Sequence, residues 1–144
     1  MTDIRKVVIN TCVGGFELSY EAVMEYAKIK GIQLYGAVED ADSHRKNNIL
    51  EWTYLPYNPE TMKDPWLIFY STKPLKNGHI IDCFSESDIL RDDPVLVAVI
   101  EKLGVKANGR SANLKIVEIP ADVQWEIDEY DGREHIQEKH REWC

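Results

Sequence analysis

Hydrophobic positions change their spacing several times along the chain, and each spacing predicts an element. The β-branched run Val7-Val8-Ile9 reads as a strand that ends at the adjacent glycines Gly14 and Gly15. Ala22, Val23, Tyr26, Ala27 and Ile29 then recur at helical spacing. Ser19 is a suitable N-cap, Glu21 lies in the first turn, and Leu18 and Val23 occupy the two ends of a hydrophobic staple. Gly31 stands where a left-handed residue would stop the helix. The opening unit is therefore strand, glycine loop, helix.

The middle is less regular. A short strand is expected over 34–38, and the polar run 40–48 reads as an exposed loop. Residues 52–55 and 66–71 are strand-like, separated by a region holding Pro56, Pro59 and Pro65. Lys76-Asn77-Gly78 carries the signal of a hairpin turn. No internal repeat or low-complexity segment is present.

The second half is more strongly patterned. Asp93-Pro94 supplies an N-cap with proline at the first helical position, Leu96, Val99, Ile100 and Leu103 follow at helical spacing, and Gly104 closes the helix. A polar loop over 106–111 leads to a strand over 114–119 that stops at Pro120. Val123, Trp125 and Ile127 alternate with polar residues, as in a half-buried strand. Asp131-Gly132 then turns the chain into a last charged helix from Arg133 to about Trp143, docked through the narrow seam Ile136, His140 and Trp143. The sum is one α+β domain over 1–144, a mixed, mostly antiparallel sheet with about three helices.

Composition narrows the function. No apolar run approaches the ~20 residues that span a bilayer, and the first six residues hold no apolar leader core, so a cytoplasmic protein without a membrane partner is expected. Cys12, Cys83 and Cys144 are odd in number and widely spaced, which fits neither a disulfide framework nor a zinc knuckle. Seventeen Lys and Arg against 25 Asp and Glu leave a net charge of −8, a field that repels long nucleic acid. A small nucleotide needs only two or three local cations and some backbone N–H groups, and remains compatible.

Four clusters carry candidate chemistry. The loop residues Thr11, Cys12, Gly14, Gly15 and Phe16 precede a helix N-terminus, where free N–H groups and the helix dipole suit phosphate. The loop lacks both the Walker A ending and the third glycine of the dinucleotide fingerprint, and a plain turn needing positive φ explains it equally well. Cys12 as a nucleophile would need a base, but all four histidines are distant in sequence, so a buried core cysteine is the plainer reading. In Asn108-Gly109-Arg110 the arginine offers a bidentate fork to phosphate and the asparagine an edge reader, against a solvated turn with Asn at positive φ.

Arg133, Lys139 and Arg141 on the last expected helix form a basic group, although Glu134, Glu138 and Glu142 interleave with them and favour ion pairs within the helix. His135 and His140 are five apart and do not share a helix face, so no metal site and no cofactor is expected. Phe16 and Trp143 flank these groups, and Trp52, Tyr54, Tyr57 and Trp66 cluster in the middle. A base stacks on such rings for ~1–3 kcal/mol, although core packing is their commoner use.

The segment Val-Val-Ile-Asn-Thr-Cys-Val-Gly-Gly-Phe-Glu-Leu-Ser at 7–19, continuing to Glu21-Ala22 and Tyr26, is similar to a family of small proteins carried by bacteriophages and prophages. So are Arg91-Asp92-Asp93-Pro94, Leu96-Val97, Ala107-Asn108-Gly109, Lys115-Ile116-Val117-Glu118-Ile119-Pro120, Glu129-Tyr130-Asp131-Gly132 and Glu138-Lys139-His140-Arg141-Glu142-Trp143. These segments cover about half the chain, and residues 32–87 share none of the likeness. The chain thereby resembles the first Thoeris anti-defence family, phage sponge proteins that oligomerise and sequester nucleotide immune signals, notably cyclised ADP-ribose, without cleaving them. The resemblance implies a non-enzymatic homo-oligomer in the host cytoplasm that binds a small anionic cyclic nucleotide.

The residue chemistry then assigns phosphate to Thr11, Cys12, Gly14, Gly15 and Phe16. Asn108 and Arg110 complete the pocket, and Arg133, His140 and Arg141 reach in from a neighbouring subunit. Two other readings stay open. One is a nucleotide phosphoesterase or transferase using Cys12 or His140, and the other is an acidic inhibitor of a host nucleic-acid enzyme.

Overall fold

The computed structural model describes residues 3–40, 53–62, 65 and 67–139. The chain divides into two compact units, Met1–Tyr26 with Glu86–Cys144, and Ala27–Ser85.

In the first unit β1 (Ile4–Asn10) pairs antiparallel with β6 (Leu114–Pro120), Val7 opposite Val117 and Asn10 opposite Leu114. Val7 and Val8 are fully buried, as a β-branched run packed on both faces should be. Helix α1 (Tyr20–Lys30) starts where expected, because the Ser19 hydroxyl accepts a hydrogen bond from Ala22 N at 3.1 Å. It ends at Gly31 (φ +74°), with Gly31 N donating to Lys28 O and Ile32 N to Ala27 O, the paired bonds of a glycine C-cap. Helix α2 (Pro94–Leu103) buries Leu96, Val97, Val99 and Ile100. Its N-cap Asp93 accepts from Val95 N at 2.8 Å and from the Tyr26 hydroxyl at 2.7 Å, and burial together with that carboxylate pushes the Tyr26 phenol up to about 12.

The last expected helix is instead a hairpin strand. β7 (Trp125–Tyr130) and β8 (Arg133–Glu138) pair in register through Ile127 opposite Ile136 and Asp128 opposite His135. Asp131 (φ +52°) and Gly132 (φ +86°) form the two-residue turn between them. Asp-Gly favours this turn strongly, and it overrides the helical reading of the mixed-charge segment that follows. Arg133 therefore begins a strand, and the Arg133, Glu134 and Lys139 charges do not share a helix. His140, Arg141 and Trp143 lie outside the described residues.

The second unit holds one small sheet in the order β3-β2-β4-β5, formed by β2 (Tyr35–Glu39), β3 (Tyr54–Pro56), β4 (Phe69–Ser71) and β5 (Cys83–Phe84). Tyr54 meets Phe69 edge to face at 5.3 Å between ring centroids. The Lys76-Asn77-Gly78 turn is present, closed by a bridge between Lys76 and His79 with positive φ at Asn77 and Gly78. Residues 41–48 of the expected polar loop, Trp52 and Trp66 fall outside the described residues.

Among the described residues there are thus two α-helices rather than about three, and three antiparallel sheets rather than one mixed sheet. The α+β class holds. The expected single sheet failed because strand pairing is set by distant partners, which local spacing does not encode.

Candidate functional site

The glycine loop after β1 is organised by Asn10, whose side chain is wholly buried. Its amide nitrogen donates to Cys12 O at 2.7 Å and Gly132 O at 2.8 Å, while its oxygen accepts from Cys12 N at 3.3 Å and Asn113 N at 2.9 Å. Thr11 donates from both its backbone N and its hydroxyl to Asn113 O, at 2.9 and 3.0 Å. The expected loop residues 11–16 and the 108–113 loop are therefore neighbours, and the β7–β8 turn closes on them.

Gly14 and Gly132 serve this closure. A Cβ on Gly14 would lie 2.7 Å from Ser111 Cβ, and one on Gly132 would lie 2.6 Å from both Gly14 N and Gly15 N. At Gly14 the missing side chain admits Ser111 of the same chain where a ligand was expected to approach, whereas the Gly15 position is open.

The N–H groups on either side of the loop meet carboxylates of the same chain. Asn10 N donates to Glu134 Oε1 at 2.8 Å, and Leu18 N donates to Glu86 Oε2 at 2.8 Å. Glu134 is held in turn by both terminal nitrogens of Arg91, at 2.6 and 2.9 Å, and that guanidinium lies 3.5 Å from the centre of the Phe16 ring. One face of Phe16, a ring expected to stack a ligand, carries Arg91.

Asn108 and its neighbour Gly109 serve the same junction. Asn108 Oδ1 accepts from Leu114 N at 2.8 Å, and its φ of −68° is extended rather than the positive φ of a solvated turn. Gly109 N donates to Glu17 O at 2.9 Å. Arg110 is exposed and acts on Glu17, whose carboxyl burial raises and the guanidinium lowers. Glu86 is pushed up to about 7, by burial first and by the nearby Glu17 charge, against the Leu18 N–H bond. Cys12 is half-buried and its thiol points to Val13 O at 3.5 Å. Arg133 is exposed at the start of β8, while His140 and Arg141 lie outside the described residues.

Two clefts of the first unit meet at Arg5, near the start of β1. One cleft of about 680 Å³ runs between that strand and α2, floored by Ile4, Pro94, Val97 and Ala98. A second, about 500 Å³ and more polar, is lined by Arg5, Asp122, Gln124, Trp125 and Lys139. Both include Arg5 and Ala121, and so adjoin. The turn from β6 to β7 that walls the second is pinned by Ala121 N donating to Asp3 O at 2.8 Å and Lys139 N donating to Gln124 O at 2.8 Å.

Arg5 reaches Asp92 at 3.5 Å, with the two side chains 40% and 29% exposed. Lys6 pairs with Glu101 at 3.2 Å, and Lys102 with Glu25 at 2.7 Å. Sequence reasoning missed Arg5, Gln124 and Trp125 as site residues and placed Lys139 on a helix. The faint signal was a pair of cations at the head of an otherwise apolar strand.

Among the described residues no helix is long and apolar enough to cross a membrane, and no three His, Cys, Asp or Glu side chains group as metal ligands. In comparisons with known proteins, no family model, no curated protein and no solved structure matches the chain.

Proposed function

We propose that this protein binds a small anionic cyclic nucleotide, of the cyclic ADP-ribose type, and sequesters it without cleaving it, as a phage anti-defence homo-oligomer in the host cytoplasm. One observation carries the reading: Arg5 stands where an apolar cleft adjoins a polar one that also holds Lys139 and Trp125. Two cations beside an indole and an apolar floor suit a phosphorylated, ring-bearing ligand. The net charge of −8 supports a small ligand over a long polyanion.

A thermal-shift screen against cyclic ADP-ribose isomers and cyclic oligonucleotides tests this, followed by mass spectrometry of ligand released by heat. Ligand binding to the native state raises apparent stability by mass action, so strong stabilisation with intact ligand is the expected result. Ligand recovered as product would replace sequestration by turnover. No stabilisation by any nucleotide would overturn the reading and favour the acidic inhibitor of a host enzyme.

A second reading, a nucleotide-processing enzyme, draws on Glu86. The Glu86 carboxyl, buried near Glu17 and pushed up to about 7, has the proton affinity of a general acid. It predicts turnover that Glu86→Gln abolishes while binding survives.

A further inference from the structure

We infer that the two clefts meeting at Arg5 are the two halves of one site, and that its ligand class is an anion joined through a hydroxylated linker to a flat, uncharged ring. This rests on the proposed nucleotide-binding function and deepens it by saying which part of the ligand each half takes.

The halves differ in what they can hold. In the α2 cleft, Pro94, Ala98 and Glu101 recur on one side of the helix, with Val97 beside them and Ile4 facing them from β1. The cations at its rim already have partners, Lys6 on Glu101 and Lys102 on Glu25. A charged group entering it would break these pairs or be desolvated uncompensated, whereas an uncharged ring would cover apolar floor. Its volume of about 680 Å³ is that of a small-molecule site.

The second half is polar. Asp122 and the Gln124 side chain offer acceptors for sugar hydroxyls, and Lys139 brings a cation on a backbone held by Gln124. Arg5 lies between the halves. Its 3.5 Å approach to Asp92 is longer than a charge-assisted hydrogen bond, and both side chains are partly exposed, so the pair is weak. A phosphate can replace Asp92 on the guanidinium and gain bidentate geometry in the exchange. Arg5 then faces the anion while the ring lies on α2.

The test uses the full chain and two probes, cyclic ADP-ribose and ribose 5-phosphate, with affinities measured by calorimetry. Ala98→Trp fills the ring half at an exposed helix position. Ile4→Asn, at a side chain 62% exposed, makes its wall polar without depending on how a tryptophan fits. Both variants should weaken cyclic ADP-ribose by about tenfold or more, the worth of one ring's contacts, and leave ribose 5-phosphate within about twofold. Arg5→Gln should weaken both probes by about tenfold, as for a lost charge-assisted bond.

Unchanged cyclic ADP-ribose affinity in both ring-half variants, or an equal loss for the two probes, would overturn the inference and leave the binding function standing. Failure of the unmodified protein to bind either probe at millimolar concentration would overturn both.

Discussion

Arg91 grips Glu134 with two nitrogens, at 2.6 and 2.9 Å, and so ties the segment before α2 to the β7–β8 hairpin. The Glu134 side chain is 8% exposed and its Oε1 also takes the Asn10 N–H, so one carboxylate satisfies the end of β1 and neutralises the arginine lying on Phe16. Removing one partner would leave the other charge largely dehydrated. Arg91→Met should therefore cost roughly 2–4 kcal/mol in urea unfolding, and the double variant with Glu134→Gln should cost less than the two single losses summed.

Asn10 donates twice and accepts twice through one buried side chain. Asn10→Asp keeps the shape but loses both donors and faces the carbonyls of Cys12 and Gly132 with a negative charge. Chemical denaturation should show a loss of about 2–4 kcal/mol, larger than that of Asn10→Ala at neutral pH and shrinking as the aspartate protonates in acid.

Gly132 and Gly15 both have positive φ, yet they should respond differently to alanine. At Gly15 a Cβ meets nothing within 4 Å, so only backbone strain of about 1 kcal/mol opposes it. At Gly132 the Cβ would press on the Gly14 and Gly15 nitrogens at 2.6 Å. Gly132→Ala should lower the melting temperature by several times the Gly15→Ala shift, and equal shifts would show that the turn does not close on the loop.

Glu86 should make stability fall as pH rises. Its folded value of about 7 lies above the ordinary 4.5, so between those values the folded state holds a proton that the unfolded state has released. That contribution is fully present below about pH 4.5 and is lost as pH climbs through 7, with Glu17 acting in the same direction. Glu86→Gln keeps an acceptor for Leu18 N and cannot ionise. Relative to the unmodified protein it should gain roughly 1–3 kcal/mol between pH 5 and pH 8, as read from denaturation midpoints across that range.

The helix ends were legible residue by residue. Ser19, Gly31, Asp93, Pro94 and Gly104 act on backbone groups within one turn of themselves, and the structure places each in that part. The tight turn at Asn77-Gly78 was legible for the same reason. Arg133 to Glu138 was misread because its interleaved charges fit a wet helix face as well as an exposed strand, and the Asp131-Gly132 turn decided between them. Residues of the 11–16 loop do adjoin the loop over 106–111, with Gly14 against Ser111 and Gly109 N bonded to Glu17 O just beyond it.

What local spacing established is therefore the α+β class, two helices with their caps, most of the strands and the absence of a charge balance suited to long nucleic acid. Only the tertiary structure decided where strands pair, what the N–H groups on either side of the loop face and where space is left open. The physical reason is separation along the chain. A capping bond spans a few residues, whereas Glu134 reaches Asn10 N across 124 positions and Lys139 joins Arg5 from the far end of the chain. A glycine loop before a helix has the same local sequence whatever its neighbours, and the fold put Glu134 and Glu86 on the N–H groups at either side of it.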